Sequence, residues 1–186
     1  TPSRSSAASD VYKRQEGKGS VDLGTTAVIS SDNKLVRDIS TGCAEIILSS
    51  RELSPAHYID GIVAFLSVKW GGNVYYHWMF DVVIRMDLLC RSGWTSKIDK
   101  FVFSKCDKKF HQETLEALKI PQEKIIESRF IPHIKAKKLV VPSFTIKQGG
   151  TRSPKWGCEF IRNLFLNSEN ICQISEQSQR LFISRK

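Results

Sequence analysis

The chain has 186 residues, of which 41% are hydrophobic and 25% charged, and its formal net charge is +9. This composition is typical of a globular protein with one substantial core. No apolar run reaches the ~18 residues of a membrane span, because the longest, Ile62–Val68, has only the length of a strand. The net positive charge is compatible with nucleic acid, anionic lipid or a phosphorylated ligand as partner, and does not choose among them.

The five cysteines are an odd, widely spaced set without a Cys-x-x-Cys pair, which disfavours both a disulfide framework and a zinc site. Their mostly apolar surroundings predict buried free thiols in a reducing compartment. The set consists of Cys43, Cys90, Cys106, Cys158 and Cys172.

Residues 1–20 are rich in Ser, Ala, Gly and charge and have no hydrophobic periodicity, so they are predicted to be disordered. The stretch Ser5–Gln15 also resembles translated adaptor sequence, which would make it foreign to the protein. We therefore treat residues 1–20 as a disordered or non-native tail and leave them out of the fold prediction.

Beyond this tail, β-prone runs alternate with segments of helical periodicity. The predicted strands are Thr25–Ser30, Ala44–Leu48, Ile62–Val68, Phe101–Ser104, Lys124–Glu127, Lys138–Val141 and Arg180–Ser184. The predicted helices run from a cap at Asn73 to Arg91 before Gly93, over Lys108–Lys119 before Pro121, and from Ser153-Pro154 to Asn167. This alternation predicts an α/β fold, with a mostly parallel sheet and helices on both faces.

The helix after Ile62–Val68 carries the candidate chemistry. It is apolar on nearly every side, which predicts burial, yet His77, Asp81 and Arg85 follow at i, i+4 and i+8 and so share one stripe. Burying these groups unpaired would cost several kcal/mol, so we expect them to pair with one another or to line a cleft. Ligands of open α/β sheets bind beyond the carboxyl ends of the strands, which favours the cleft. Spacing alone leaves open an internal network that only fixes the helix.

The other aromatic and basic residues carry weaker signals. Beside a buried helix, aromatic residues are by default core, and stacking on sugar rings is the alternative for Tyr75, Tyr76, Trp78 and Trp156. Surface positions are the default for His57, His111 and His133. No third ligand accompanies His77 and Asp81, so no metal site is predicted. The lysines form no stripe with interleaved aromatics, which makes a nucleic-acid-binding domain the most distant alternative.

The segment Gly72-Asn73-Val-Tyr-Tyr-His77-Trp-Met-Phe-Asp81-Val-Val-Ile-Arg85-Met is similar to the tyrosine–histidine–tryptophan motif of glycosyltransferase family 61. Three later blocks resemble the same family in the same order: His111–Pro121, Ala136–Ser143 and Arg180–Arg185. The family often has proline just before the arginine, where this chain has Ile84. A plain helix is the expected consequence.

The resemblance implies a GT-B architecture, in which two Rossmann-like domains face each other across a cleft. Residues 21–178 would then form the acceptor-side Rossmann-like domain, and residues 179–186 would begin a nucleotide-sugar-binding domain that is largely absent. The implied activity is inverting transfer from a nucleotide sugar to a glycan acceptor, in synthesis of cell-surface or capsular polysaccharide. Neither metal nor nucleic acid is expected. The alternative is a non-catalytic carbohydrate- or nucleotide-binding module.

The unpaired cysteine set and the possible environmental origin of the sequence favour a bacterial cytoplasmic enzyme. Peripheral membrane association is possible for it, and a secretory lumen is the alternative if the protein is eukaryotic. An inverting transfer needs a general base at the acceptor hydroxyl and cations at the departing diphosphate. Asp81 is the candidate base, His77 is the alternative base or orients it, and Arg85 would keep Asp81 ionised. The expected further contacts are Asn73, Tyr76, Arg85 and Ser143 on the substrate side, and Arg185 on the donor diphosphate.

Overall fold

The computed structural model describes residues 26–42, 55–68, 70–145 and 153–166, the backbone of residues 8–13, and the single residues 44 and 49. Its strands are β1 (Ala8–Lys13), β2 (Thr26–Ser30), β3 (His57–Phe65), β4 (Lys100–Phe103), β5 (Ile125–Glu127) and β6 (His133–Val140). They form one sheet in the order β2-β1-β6-β3-β4-β5.

Four neighbouring strands of this sheet run parallel. β3 pairs in parallel with β4 and β6, and β4 pairs in parallel with β5, whereas β1 is antiparallel to β6 and β2. This confirms the predicted α/β fold with a mostly parallel sheet. Along the chain, β4 and β5 are added on one side of β3, and β6 then returns to its other side. The strand order therefore reverses between β3 and β6, which is where open α/β sheets form a crevice at their carboxyl edge.

Three helices pack on this sheet. Helix α1 runs without a break through Tyr75–His77, Trp78–Val83 and Ile84–Arg91, α2 is Lys109–Ala117, and α3 is Lys155–Leu166. Short 3₁₀ turns lie at Arg37–Ile39, Thr95–Lys97 and Gln122–Lys124.

All three helices contribute to a single apolar cluster together with one face of the sheet, which includes Ala64 and Leu66. Alternate residues of β3, Val63 and Phe65, face a second cluster that contains no residue of these helices. The prediction of helices on both faces is therefore not met in the part of the chain that the structure describes. A reason is that residues 128–132, between β5 and β6, form a turn instead of a helix, so this connection places no helix on the second face.

The middle of α1 differs from the plain helix expected at Ile84. Residues Trp78–Val83 form a π-helical segment, and the N–H of Ile84 donates to the carbonyl of Met79, five residues earlier. A π turn holds more residues than an α turn, so the residues after it are rotated about the helix axis relative to a continuous α-helix. This rotation separates Arg85 from the stripe that spacing predicted.

Several element boundaries also differ from the sequence predictions. β3 begins at His57 and β6 at His133, five residues before each apolar run, because the exposed first residues of β3 pair through their backbones with β6. Ala8–Lys13, expected to lack regular structure, forms the strand between β2 and β6. In this strand the backbone groups find hydrogen-bond partners in the neighbouring strands, so the strand forms although its side chains show no hydrophobic pattern. Of predicted strand Ala44–Leu48 only Ala44 is described, and it is helical, contrary to the prediction. Predicted strand Arg180–Ser184 lies outside the described residues.

Candidate active site

His77 and Asp81 form a hydrogen-bonded pair in the first turns of α1. His77 Nδ1 lies 2.6 Å from Asp81 Oδ2, and the two side chains are 35% and 27% exposed. When Nδ1 carries the proton, the ring donates to the carboxylate, and Nε2 of the neutral ring is then an acceptor. The pair, called the dyad below, thus has the base-and-orienter arrangement that nucleophile-activating sites use.

The turn before α1 holds the dyad close to the strand ends. Gly72 approaches the loop after β4 so closely that a Cβ at this position would lie 2.6 Å from Lys105 Cβ and 3.0 Å from its backbone nitrogen. Lys108 Nζ donates to the carbonyl of Asn73 at 2.7 Å. The start of α1 is therefore fixed against the carboxyl ends of β3 and β4. Asn73 was predicted to cap the helix, but the cap position is Val74 and no side chain bonds there.

Arg85 is separate from the dyad and almost completely buried, with 1% of its surface exposed. Its guanidinium donates to the carbonyls of Phe65 and Leu66 at the end of β3, and twice to the carbonyl of Pro142 after β6, the shortest of these bonds being 2.7 Å. Arg85 therefore occupies the place where the strand order reverses. The expected direct contact of Arg85 with substrate stays a prediction, and in this structure its donors are used by the strand ends.

Burial lowers the pKa of Arg85 to about 10, and the charge of Asp81 acts in the opposite direction. The guanidinium thus stays protonated at neutral pH, and the influence of Asp81 is that of a nearby opposite charge without direct contact. The expectation that Arg85 keeps Asp81 ionised stays a prediction.

The loop after β6 covers the guanidinium. The ring of Phe144 lies 5.0 Å from the guanidinium carbon, and Thr145 Oγ1 is 3.4 Å from the carbonyl of Phe80 in α1. Ser143, one of the predicted substrate contacts, is exposed on this loop between Pro142, whose carbonyl accepts from Arg85, and Phe144. The loop and the dyad-bearing part of α1 are therefore neighbours, and Phe144 and Thr145 are site-forming residues that sequence reasoning missed.

The aromatic residues around the dyad divide into core and surface. Trp78 is buried, in agreement with its default interpretation, whereas Tyr75 and Tyr76 are 56% and 44% exposed. Core packing is therefore the wrong interpretation for the two tyrosines. Sequence did contain a signal for this difference: both precede the continuous apolar part of α1, at a helix end where side chains meet solvent.

Three serines lie buried at the carboxyl ends of β3, β4 and β5. Ser67 Oγ is 2.7 Å from Ser104 Oγ and 3.0 Å from Ser128 Oγ, and Ser104 also donates to the carbonyl of Val68. The hydroxyls satisfy one another, and no histidine contacts them in the described structure. They tie the strand ends together, and nothing here activates one of them as a nucleophile.

His111 is fully buried, which corrects its predicted surface position. Its ring packs 4.3 Å from the ring of Trp78, and Nδ1 accepts the N–H of Lys108 at the start of α2. The spacing of His111 to Leu115 and Leu118, at i+4 and i+7, was a helical signal for burial. Burial lowers the pKa of His111 to about 4.

We expect this histidine to make the fold acid-sensitive. In the unfolded chain its pKa is near 6.5, and in the fold it is about 4, so the unfolded state binds the proton first. The free energy of unfolding should therefore fall by about 2–3 kcal/mol between pH 7 and pH 4.5 through this group. His111→Gln keeps a side-chain acceptor for the N–H of Lys108 and should remove this component from urea unfolding curves. His57→Gln, at an exposed site, is the control, and an equal change in both variants would contradict the assignment.

Two of the described cysteines do not follow the predicted burial. Cys90 and Cys158 are exposed free thiols, and only Cys106 is buried. Burial, assisted by the carboxylate of Glu127, raises the pKa of Cys106 to about 12, so this thiol stays protonated and unreactive. Cys43 and Cys172 lie outside the described residues.

Arg185, the predicted donor contact, also lies outside the described residues. In the described part of the chain, no three His, Cys, Asp or Glu side chains are grouped to hold a metal ion. No described helix combines the length and the apolar character that a membrane crossing requires.

Scans against protein-family models, curated proteins and solved structures find no match to this chain.

Proposed function

We propose that this chain is the Rossmann-like, acceptor-side domain of an inverting GT-B glycosyltransferase, which moves a sugar from a nucleotide sugar to a hydroxyl of a glycan. The single observation that carries the proposal is the partly exposed dyad of His77 and Asp81, 2.6 Å apart at the carboxyl edge of a parallel sheet. The similarity of residues 72–86 to the family 61 motif supplies the reaction class. The dyad supplies a base and a group that orients it, and this reaction class needs both.

An inverting transfer removes the proton of the acceptor hydroxyl while its oxygen attacks the anomeric carbon of the donor. In the proposed mechanism, His77 Nε2 takes this proton. Asp81 accepts the Nδ1 hydrogen bond, fixes the ring orientation and stabilises the imidazolium that forms. This order of roles assigns the Nδ1 proton to the bond with Asp81 and leaves Nε2 to accept the proton of the acceptor hydroxyl.

Arg85 acts in this mechanism through electrostatics and position, without touching the acceptor. Its buried charge interacts with the charge of Asp81, and its bonds to three carbonyls hold β3 and the loop after β6 in place. Ser143, exposed on that loop, is available for a hydroxyl of the acceptor. The cation at the departing diphosphate would be supplied by Arg185 and by the donor-binding domain.

The test is an assay of a protein that carries both domains. Nucleotide sugars are offered with oligosaccharide acceptors, release of nucleoside diphosphate is followed, and the anomeric configuration of the product is read by NMR. We expect acceptor-dependent release and a product of inverted configuration. Release without an acceptor product, or a product that retains the donor configuration, would contradict the proposal.

A further inference from the structure

An exposed aromatic stripe lies beside the dyad on α1. The stripe consists of Tyr76 and Phe80, one turn apart, whose ring centroids are separated by 4.9 Å at an interplanar angle of 37°. Phe80 is partly buried and packs against the main core cluster, so it supports Tyr76 from below. The ring of Tyr76, which is 44% exposed, therefore presents an apolar surface that is backed by Phe80.

The stripe and the dyad are adjacent. Residues 76 and 80 form one i, i+4 pair and residues 77 and 81 form the next, and the rings of Tyr76 and His77 are 5.5 Å apart. The stripe thus offers an apolar surface, and the dyad offers hydrogen-bonding groups. Pyranose rings have the matching character, with a face of C–H bonds and a rim of hydroxyls, and such amphipathic pairing of an aromatic face with a few polar groups is typical of ligand sites.

We infer that Tyr76 is the stacking platform for the acceptor sugar, and that it takes pyranoses with one uninterrupted face of C–H bonds. This inference rests on the proposed function, because it assigns the platform to the acceptor of that reaction. A sugar lying on Tyr76 would have its hydroxyl rim beside His77, where Nε2 is the free acceptor. The platform would thus help to select which hydroxyl meets the base.

The preceding residue provides a matched control. Tyr75 is at least as exposed as Tyr76 and lies on the same helical turn, but its ring meets the edge of Phe110 in α2, at 5.2 Å and 84°. It therefore faces away from the dyad. Replacing either tyrosine removes a similar exposed ring, and only Tyr76 should affect sugar binding.

The experiment is a two-dimensional NMR titration of the full chain with the methyl β-glycosides of xylose, glucose and galactose, with sorbitol as an open-chain polyol. We expect at least one glycoside to shift the His77 ring signals at millimolar concentration, and sorbitol not to do so. Tyr76→Ala should weaken this binding about tenfold. Tyr76→Phe should keep it within about twofold, since the contact needs the ring, and Tyr75→Ala should leave it unchanged.

The inference is overturned if no glycoside binds, if Tyr76→Ala binds like the unmodified chain, or if Tyr75→Ala weakens binding equally. The two proposals can fail separately. Tyr76-dependent glycoside binding by a two-domain protein that transfers no sugar would leave the platform standing and remove the reaction. Sugar transfer by a protein whose glycoside binding does not depend on Tyr76 would leave the reaction standing and remove the platform.

Discussion

His77→Ala is expected to lower kcat/KM for sugar transfer by about 10²–10⁴-fold, because it removes the group that accepts the proton of the acceptor hydroxyl. Asp81→Asn should also lower the rate by more than tenfold, since an amide cannot stabilise the imidazolium as a carboxylate does. The measurement is steady-state kinetics of a protein that carries both domains, over a range of pH.

The exposed histidine at the opposite end of β3, His57, is the control for His77. His57→Ala should leave kcat/KM within about twofold. If Asp81→Asn transfers within about tenfold of the unmodified protein, a role for the dyad in proton transfer is untenable. If Asp81→Asn abolishes transfer and His77→Ala does not, then Asp81 is the base and His77 orients it.

Arg85→Met is expected to lower the free energy of unfolding by about 3–5 kcal/mol. The substitution removes a buried cation that donates to the carbonyls of Phe65, Leu66 and Pro142, and each buried acceptor left without a partner costs about 1–3 kcal/mol. Urea unfolding monitored by tryptophan fluorescence measures the loss. Arg85→Lys should be intermediate, because an ammonium group keeps the charge but lacks the planar fork that reaches both strand ends.

Arg91 gives the matched control, because it lies on the same helix and also holds a salt bridge and an aromatic contact. Its guanidinium pairs with Asp87 and lies over Trp156, but the side chain is 62% exposed. Arg91→Met breaks one ion pair and leaves no buried backbone carbonyl without a donor, so its loss should be smaller than that of Arg85→Met. Equal losses for the two variants would show that the strand-end contacts of Arg85 contribute little to stability.

Most of the parallel core was predictable because its signals are local. Continuous apolar runs predicted a strand near β3 and another near β6, and the positive φ of Gly93 ends α1 where the sequence placed its stop. The amphipathic segments predicted α2 and α3 with boundaries within about three residues of the observed ones. The His77–Asp81 pairing also followed from i, i+4 spacing, since that relation is fixed by one helical turn.

The misassignments have identifiable physical causes. Strand ends were misplaced where backbone pairing extends β3 and β6 beyond their apolar residues. The burial of His111 and the exposure of Tyr76 depend on which side of a helix meets a neighbour. The side of α1 on which Arg85 lies depends on the π-helical segment of this helix. The i→i−5 bonding of such a segment has no sequence signature as strong as a cap or a proline.

The sequence by itself determined the α/β class, the order of the main elements and the dyad, because hydrophobic periodicity and helical spacing act over a few residues. Only the tertiary structure decided that β6 returns beside β3 and that Arg85 donates to the carbonyls where these two strands end. The contacts of Arg85 join residues 19 to 57 positions apart in the chain. The balance of burial and hydrogen bonding that selects them exists only once the strands have paired.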